Sequence, residues 1–287
     1  MKKAPKWLII LSVLIGALML LPTIALFFDV GSISSPITQL IFDQRTWKTM
    51  LNSLLLAGFS SIAAALIAVP SAWFTTRCHL PFRKFWIVLN ILPLAVPSYL
   101  SAYGYIAVFN HNGLLYKIDP SLSFDIRTFF GCWLSMTLVN YPFIVLVCRG
   151  ALLQKDPALE ESARNLGYSP MQVFFKITLP LLKPAISAGM LLVALYTLSD
   201  LGTPALLDVK TFTYEIFKYY ENGRQDKSAV MSLILLCTAL IVLFSETLFR
   251  HKGRLYSSSS GTQKIPHLYK CGKWTIGICL FLAFIAF

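Results

Sequence analysis

Charge is what this chain has least of. Only 13% of its 287 residues are Asp, Glu, Lys or Arg, against 56% hydrophobic, and a soluble domain of that length could not hide so much apolar surface. Acid is scarcer still, with 13 carboxylates against 25 Lys and Arg. Paired cysteines are missing too. The six cysteines (78, 132, 148, 237, 271 and 279) form no CxxC and lie in or beside apolar runs, so neither a disulfide framework nor a zinc site is indicated. No G-x-x-x-x-G-K-[ST] occurs, because Gly272-Lys273 is followed by Trp274, so nucleotide hydrolysis is not expected of this polypeptide. The four histidines (79, 111, 251 and 267) fall in connections, and Asp200 is almost alone among ionisable groups inside the apolar runs. An intramembrane protease or haem protein would need ligands or acid–base groups there, and no bound cofactor or metal is expected.

What is present in quantity is uncharged sequence long enough to cross a bilayer. Trp7–Phe28, Thr49–Thr76, Phe85–Phe109, Thr128–Cys148, Ala185–Leu207 and Ser228–Ser245 read as six spans of an all-α, polytopic transmembrane helical bundle. Trp274–Phe287 reads as the start of a seventh, its 14 residues short of the roughly 17 to 25 a span needs. The first run follows Lys2, Lys3 and Lys6 and lacks a small-x-small cleavage site, so it reads as a retained span. Ser257–Gly261 is a serine-rich linker and the best boundary in the chain. The expected divisions are residues 1–48 (first span and loop), 49–250 (core), 251–273 (linker) and 274–287 (further span).

The positive charges set the expected orientation. The N-terminus, the 77–84 loop, the 149–184 loop and the 250–273 segment hold 17 of the 25 Lys and Arg, and the alternate connections hold eight, balanced by eight acids. By the positive-inside rule the first set, the N-terminus included, is cytoplasmic. The net charge of +12 is then a matter of topology, with anionic lipid as its partner and no nucleic acid required.

Residues 156–184, DPALEESARNLGYSPMQVFFKITLPLLKP, read as exposed helix between membrane runs. Asp156 and Pro157 are a cap and a first-turn proline, Glu160 and Glu161 suit the positive end of a helix dipole, and Gly167 can take the left-handed conformation that ends a helix. Ser169, Pro170 and Gln172 repeat the start signal with capping-box spacing. Met171, Phe174, Phe175 and Thr178 share one face, and Pro180 and Pro184 are expected to stop or bend the chain.

Here Glu161, Ala163, Gly167, Ile177, Leu179 and Pro180 match in type and spacing the EAA loop of bacterial binding-protein-dependent ABC permeases, with Ser162 replacing the first alanine. The resemblance implies a type I, MetI-like permease fold in the bacterial inner membrane. It also implies partners: an ATP-binding subunit (a homodimer) pushing on Glu160, Glu161 and the matched residues, a periplasmic solute-binding protein, and a second permease half, fused or separate. ATP is used by the partner. Asn52-Ser53-Leu54 with Pro70, Ala72 and Arg77 looks like the helix that opens the permease core, and LPLAVPSY (92–99) and Leu198–Leu207 with Thr211-Phe212-Thr213 resemble the ferric-iron branch. Members of that branch commonly fuse two six-span halves, so the chain is expected to hold the first.

Pathway candidates come from broken helix. Pro93 and Pro97 with Ser98 and Tyr99 make the third run irregular, Asn140 precedes Tyr141-Pro142 in what should be a second break, and Asp200 lies beside Gly202 and Pro204. The expected function is passage of a solute, ferric iron by resemblance, from a binding protein to the cytoplasm. Thiamine, phosphonate or another small solute is the alternative within the class. An ion-gradient transporter, which should show midplane charges and an inverted repeat, and a scaffold, which has no use for the capped hairpin, are the alternatives outside it.

Overall fold

The computed structural model describes residues 6–31, 43–111, 113–122, 124–154, 158–251, 268–269 and 274–286. Every regular element among them is helical. In chain order these are α1 (Lys6–Gly31), α2 (Gln44–Arg77), α3 (Arg83–Ile91), α4 (Ser98–Phe109), α5 (Leu114–Ile118), α6 (Phe129–Gln154), α7 (Ala158–Asn165), α8 (Pro170–Val173), α9 (Leu179–Ser199), α10 (Gly202–Leu206), α11 (Phe212–Glu221), α12 (Gln225–His251) and α13 (Trp274–Ala286).

The centre of the bundle is α2, α6 and α9, each packed on the other two. The buried face of α2 is mostly small residues, among them Ser53, Ala57, Ser60, Ser61, Ala64, Ala65, Ala68, Ser71 and Ala72, and such residues let backbones approach where lipid supplies no hydrophobic drive. Gly189 of α9 serves the same crossing, since a Cβ there would sit 2.9 Å from the Cα of Ile144 in α6. With 34 residues α2 is about 50 Å long and reaches from one end of the bundle to the other.

Five helical stretches are long and apolar enough to cross a bilayer: Ile10–Gly31, Gln44–Arg77, Phe129–Gln154, Pro170–Ser199 and Gln225–Glu246. A sixth is counted only if Arg83–Ala95 and Ser98–Ile118, bent by 96° to each other, make one span. The break is where the two prolines require it. Leu92–Ala95 tightens into a 3₁₀ turn, Val96 is extended, and Pro97 caps α4 without an amide hydrogen to lose. The seventh apolar run forms α13, 13 residues long, lying against α2 and α3.

Two expected breaks are absent. Pro142 sits inside an unbroken α6, so Asn140-Tyr141-Pro142 does not interrupt that span, and the lost proline hydrogen bond is absorbed within a helix held on both flanks. Pro180 and Pro184 do not stop the chain either: helix runs from Pro170 to Ser199. A π-turn at Phe174–Thr178, in which the Leu179 amide donates to the Phe174 carbonyl, changes the register just before Pro180. The fifth span is therefore continuous with the second half of the hairpin and ends at Ser199 rather than Leu207. Asp156, Pro157 and most of the 251–273 linker, with Cys271, lie outside the described residues.

Candidate functional site

The hairpin at one end of the bundle is built as its residue types dictate. α7 ends at Asn165, and Gly167 takes φ +87°, a conformation that costs a Cβ-bearing residue strain. The amides of Leu166, Gly167 and Tyr168 donate back to the carbonyls of Ser162, Arg164 and Ala163. Ser169 then opens α8 with a full capping box: its Oγ accepts from the Gln172 amide at 3.3 Å, and Gln172 Oε1 accepts from the Ser169 amide at 2.9 Å.

What fixes the hairpin to the bundle is a buried charge. Arg77, the last residue of α2, is 1% exposed; its Nε lies 3.2 Å from Glu160 Oε2, and its Nη2 donates to the Leu152 carbonyl of α6 at 3.3 Å. Thr178 Oγ1 donates to the other Glu160 oxygen at 3.2 Å, so one carboxylate joins α7, the end of α2 and the π-turn. Arg83 seals the same end of α2, donating from Nε to the Thr75 carbonyl at 2.7 Å and from Nη2 to the Thr76 carbonyl at 2.6 Å. Trp73 packs on Phe174, ring centres 5.1 Å apart, and on Tyr269 at 5.7 Å. Burial first, and then the Glu160 charge, push the Tyr269 phenol above its usual range, which keeps it neutral.

Of the other predicted hairpin residues, Ala163 is buried, Ile177 and Leu179 are half-buried, and Ser162, Gly167 and Pro180 are exposed. Glu161 has no ion-pair partner among the described residues. Large apolar side chains are exposed beside the polar Ser162, Arg164, Asn165, Gln172 and Lys176: Leu166 is 81% exposed, Met171 60%, and Leu159 and Phe175 56% each.

At the far end of the bundle the structure brings together most of the pathway candidates. Ser98 Oγ donates to Asp200 Oδ1 at 2.7 Å, the Thr203 amide donates to Oδ2 at 3.2 Å, and Thr213 Oγ1 donates to the Asp200 carbonyl at 2.8 Å. Gly202 is needed for the approach, since a Cβ there would sit 2.8 Å from the Cβ of Tyr99. Pro97 caps the helix that carries Ser98, and Pro93 lies in the 3₁₀ turn against α6. Asn140 stands apart, wholly buried within α6, its Nδ2 3.6 Å from Met136 Sδ. Asp200 is thus a structural knot between two broken helices, its carboxylate already engaged. A groove of about 360 Å³ between α2 and α6 is lined only by Phe59, Ile62, Ala63, Leu66, Phe129, Phe130 and Trp133, walls that suit hydrocarbon rather than a hydrated ion. Among the described residues no group of three His, Cys, Asp or Glu could hold a metal.

Trp73, Tyr269 and the Arg45–Glu215 pair are structural partners that motif reading did not single out. Arg77 was legible as a matched position of the core-opening helix and Thr178 as part of one helical face, but not their ties to Glu160, and Glu215 read only as an acid in a connection. Arg45 Nη2 reaches both Glu215 oxygens, at 3.1 and 3.0 Å, and binds α11 to the start of α2.

Apolar helices of this length around a small-residue core, with a capped polar hairpin at one end, define a polytopic helical membrane protein. The chain belongs to the family described as binding-protein-dependent transport system inner membrane component, whose model matches residues 2–256; this is a permease family of ABC importers, a transport subunit of the inner membrane. It is 31% identical over 273 residues to the Fe(3+)-transport system permease protein FbpB 2 of Haemophilus influenzae, covering 94% of this chain and 51% of that protein. The chain thus spans about half the length of that relative. It is 26% identical to the sulfate transport system permease protein CysT of Escherichia coli (79% of this chain, 85% of that one) and 30% identical to the spermidine/putrescine permease PotB of Haemophilus influenzae (71% and 76%). In fold it is similar to a subunit of a bacterial alginate ABC transporter, TM-score 0.69 at 17% identity (86% and 94% covered), and of the MetNI methionine ABC transporter, TM-score 0.59 at 14% identity (77% and 99%).

Proposed function

We propose that this chain is the membrane-spanning half of an ATP-driven importer that passes ferric iron from a periplasmic binding protein to the cytoplasm, with the hairpin 156–184 facing the ATPase. The exposed apolar surface of Leu159, Leu166, Met171 and Phe175 carries the reading. It sits on two short helices jointed at Gly167 and anchored to the core through Glu160 and Arg77, so a subunit that grips it moves α2, α6 and α9 together. ATP is hydrolysed by that partner, a homodimer, and a second permease half, fused or separate, completes the route. The core is residues 49–250, the N-terminus is cytoplasmic by the charge rule, and the broken helices around Ser98, Asp200 and Gly202 face the binding protein. Ferric iron is favoured over sulfate and polyamines because the likeness to the ferric permease extends over more of the chain than that to CysT or PotB.

Gly167→Asp tests the coupling role. Nothing lies within 4 Å of a Cβ at this position, and aspartate tolerates the left-handed region better than most residues, so the fold should survive while charge is placed on the docking face. The ATPase subunit should be lost on purification, or uptake should fall roughly tenfold or more, the size of one interface hot spot. Retention with normal uptake refutes the role. Glu161→Lys should act likewise. Uptake of labelled ferric iron, sulfate and spermidine by the complete transporter decides the cargo.

A further inference from the structure

We propose that Tyr269 is a positioning residue that ties the hairpin helix α7 to the following apolar helix α13, so that motion of the hairpin is passed forward along the polypeptide as well as into α2 and α6. The inference deepens the coupling reading and rests on it.

Tyr269 lies beyond the serine-rich linker, yet it returns to the end of α2. Its amide donates to the Arg77 carbonyl at 2.8 Å and its carbonyl accepts from the His79 amide at 2.9 Å, a parallel bridge opposite Cys78 that satisfies a carbonyl the helix end would leave unpaired. The ring is 6% exposed. Trp73 packs against it, and the guanidinium carbon of Arg164 stands 4.9 Å from its centre, within range of a cation–π contact.

Arg164 and Glu160 are four residues apart on α7 and therefore share a face. Glu160 holds the Arg77 side chain, and Arg164 holds the residue bonded to the Arg77 backbone. One helix is thus gripped twice, a turn apart, by two pieces of chain that diverge. The first leads into α2. The second leads within five residues into α13, whose Ile278, Leu282 and Ile285 are buried in the main core and whose Phe281 meets Phe74 of α2 at 6.4 Å. A tyrosine placed only to fill space would be served by Trp73; the cation over its face comes from the element that a motor subunit would push.

The test uses the complete transporter with its ATPase, trapped with ATP and vanadate, and reads amide hydrogen exchange. In the wild type, trapping should change exchange in both Ala158–Asn165 and Trp274–Ala286. Tyr269→Leu should keep the first change and lose the second, whereas Tyr269→Phe, which retains the ring face, should keep both. Arg164→Gln removes the cation without disturbing the tyrosine and should match Tyr269→Leu, which covers the case in which the leucine variant fails to assemble. A response of α13 that survives Tyr269→Leu or Arg164→Gln, one lost in Tyr269→Phe, or a wild-type α13 that does not respond while α7 does, overturns the proposal and leaves the coupling reading standing. Silence of α7 itself overturns both.

Discussion

Glu160 at the hairpin end of the bundle and Asp200 at the other each tie three elements together, and the two ties differ in kind. Glu160 joins α7, α2 and the π-turn, and its principal partner is an arginine with 2% of its side chain exposed. Asp200 joins α9, α4 and α10, but its partners are a hydroxyl and a backbone amide, both neutral. Removing Glu160 leaves a buried cation unpaired, and removing one partner of Asp200 leaves a carboxylate with the other still in place. The hairpin end is built as a stiff body bonded to the core. The opposite end is a set of short helices held by contacts that can be exchanged one at a time, with the Arg45–Glu215 pair adding a tie whose arginine is half in solvent. The proposed coupling, driven at the hairpin and opened at the other end, would use that asymmetry.

The largest expected effect tests it directly. Glu160→Gln should lower thermal stability in detergent by about 3 kcal/mol, the cost of unpairing a buried ion. Much of that should return when the charge is removed from both sides, in Arg77→Met with Glu160→Leu, because the penalty lies in the orphaned guanidinium rather than in the absence of the pair. Equal losses for Glu160→Gln and Ser98→Ala would erase the distinction between the ends.

Gly189→Val, between the two ends, should come next, at roughly 2 kcal/mol from overpacking against Ile144, seen as a lower melting temperature and as faster exchange along both α6 and α9. Ser98→Ala should cost about 1.5 kcal/mol, one charge-assisted hydrogen bond, with faster exchange confined to α4 and α10 and the ATPase subunit still retained. Loss of the subunit in Ser98→Ala would show that the two ends are not separable.

The hairpin was the most legible part of the chain because its signals are local. Gly167, Ser169 and Gln172 are read from spacing alone, and the backbone follows them. Pro93 and Pro97 likewise announced the bend, since no neighbour can replace two amides four residues apart. Pro142 and Pro180 misled for the opposite reason: in a helix packed on both sides, or one that can shift into a π-turn, a missing amide is accommodated, and that depends on tertiary surroundings no spacing encodes. Arg77 with Glu160, and Asp200 with Ser98, are 83 and 102 residues apart, and nothing in either neighbourhood names its partner. Asn140 was read from the proline two residues on, and the expected break is absent: it lies buried within a continuous α6.

The smallest effect separates the hairpin's shape from its anchorage. Ser169→Ala deletes the oxygen that accepts the Gln172 amide but leaves Gln172 able to accept from the residue 169 backbone, so about 1 kcal/mol should be lost, all of it in the first turn of α8. Because helix continues without interruption from Pro170 to Ser199, that turn can fray without loosening α9, and the melting temperature should stay near the wild-type value while exchange rises only around Pro170–Val173. A drop as large as that of Glu160→Gln would mean that the capping box, and not the buried ion pair, is what makes this end rigid. The comparison between the two ends would then have to be redrawn around local helix signals.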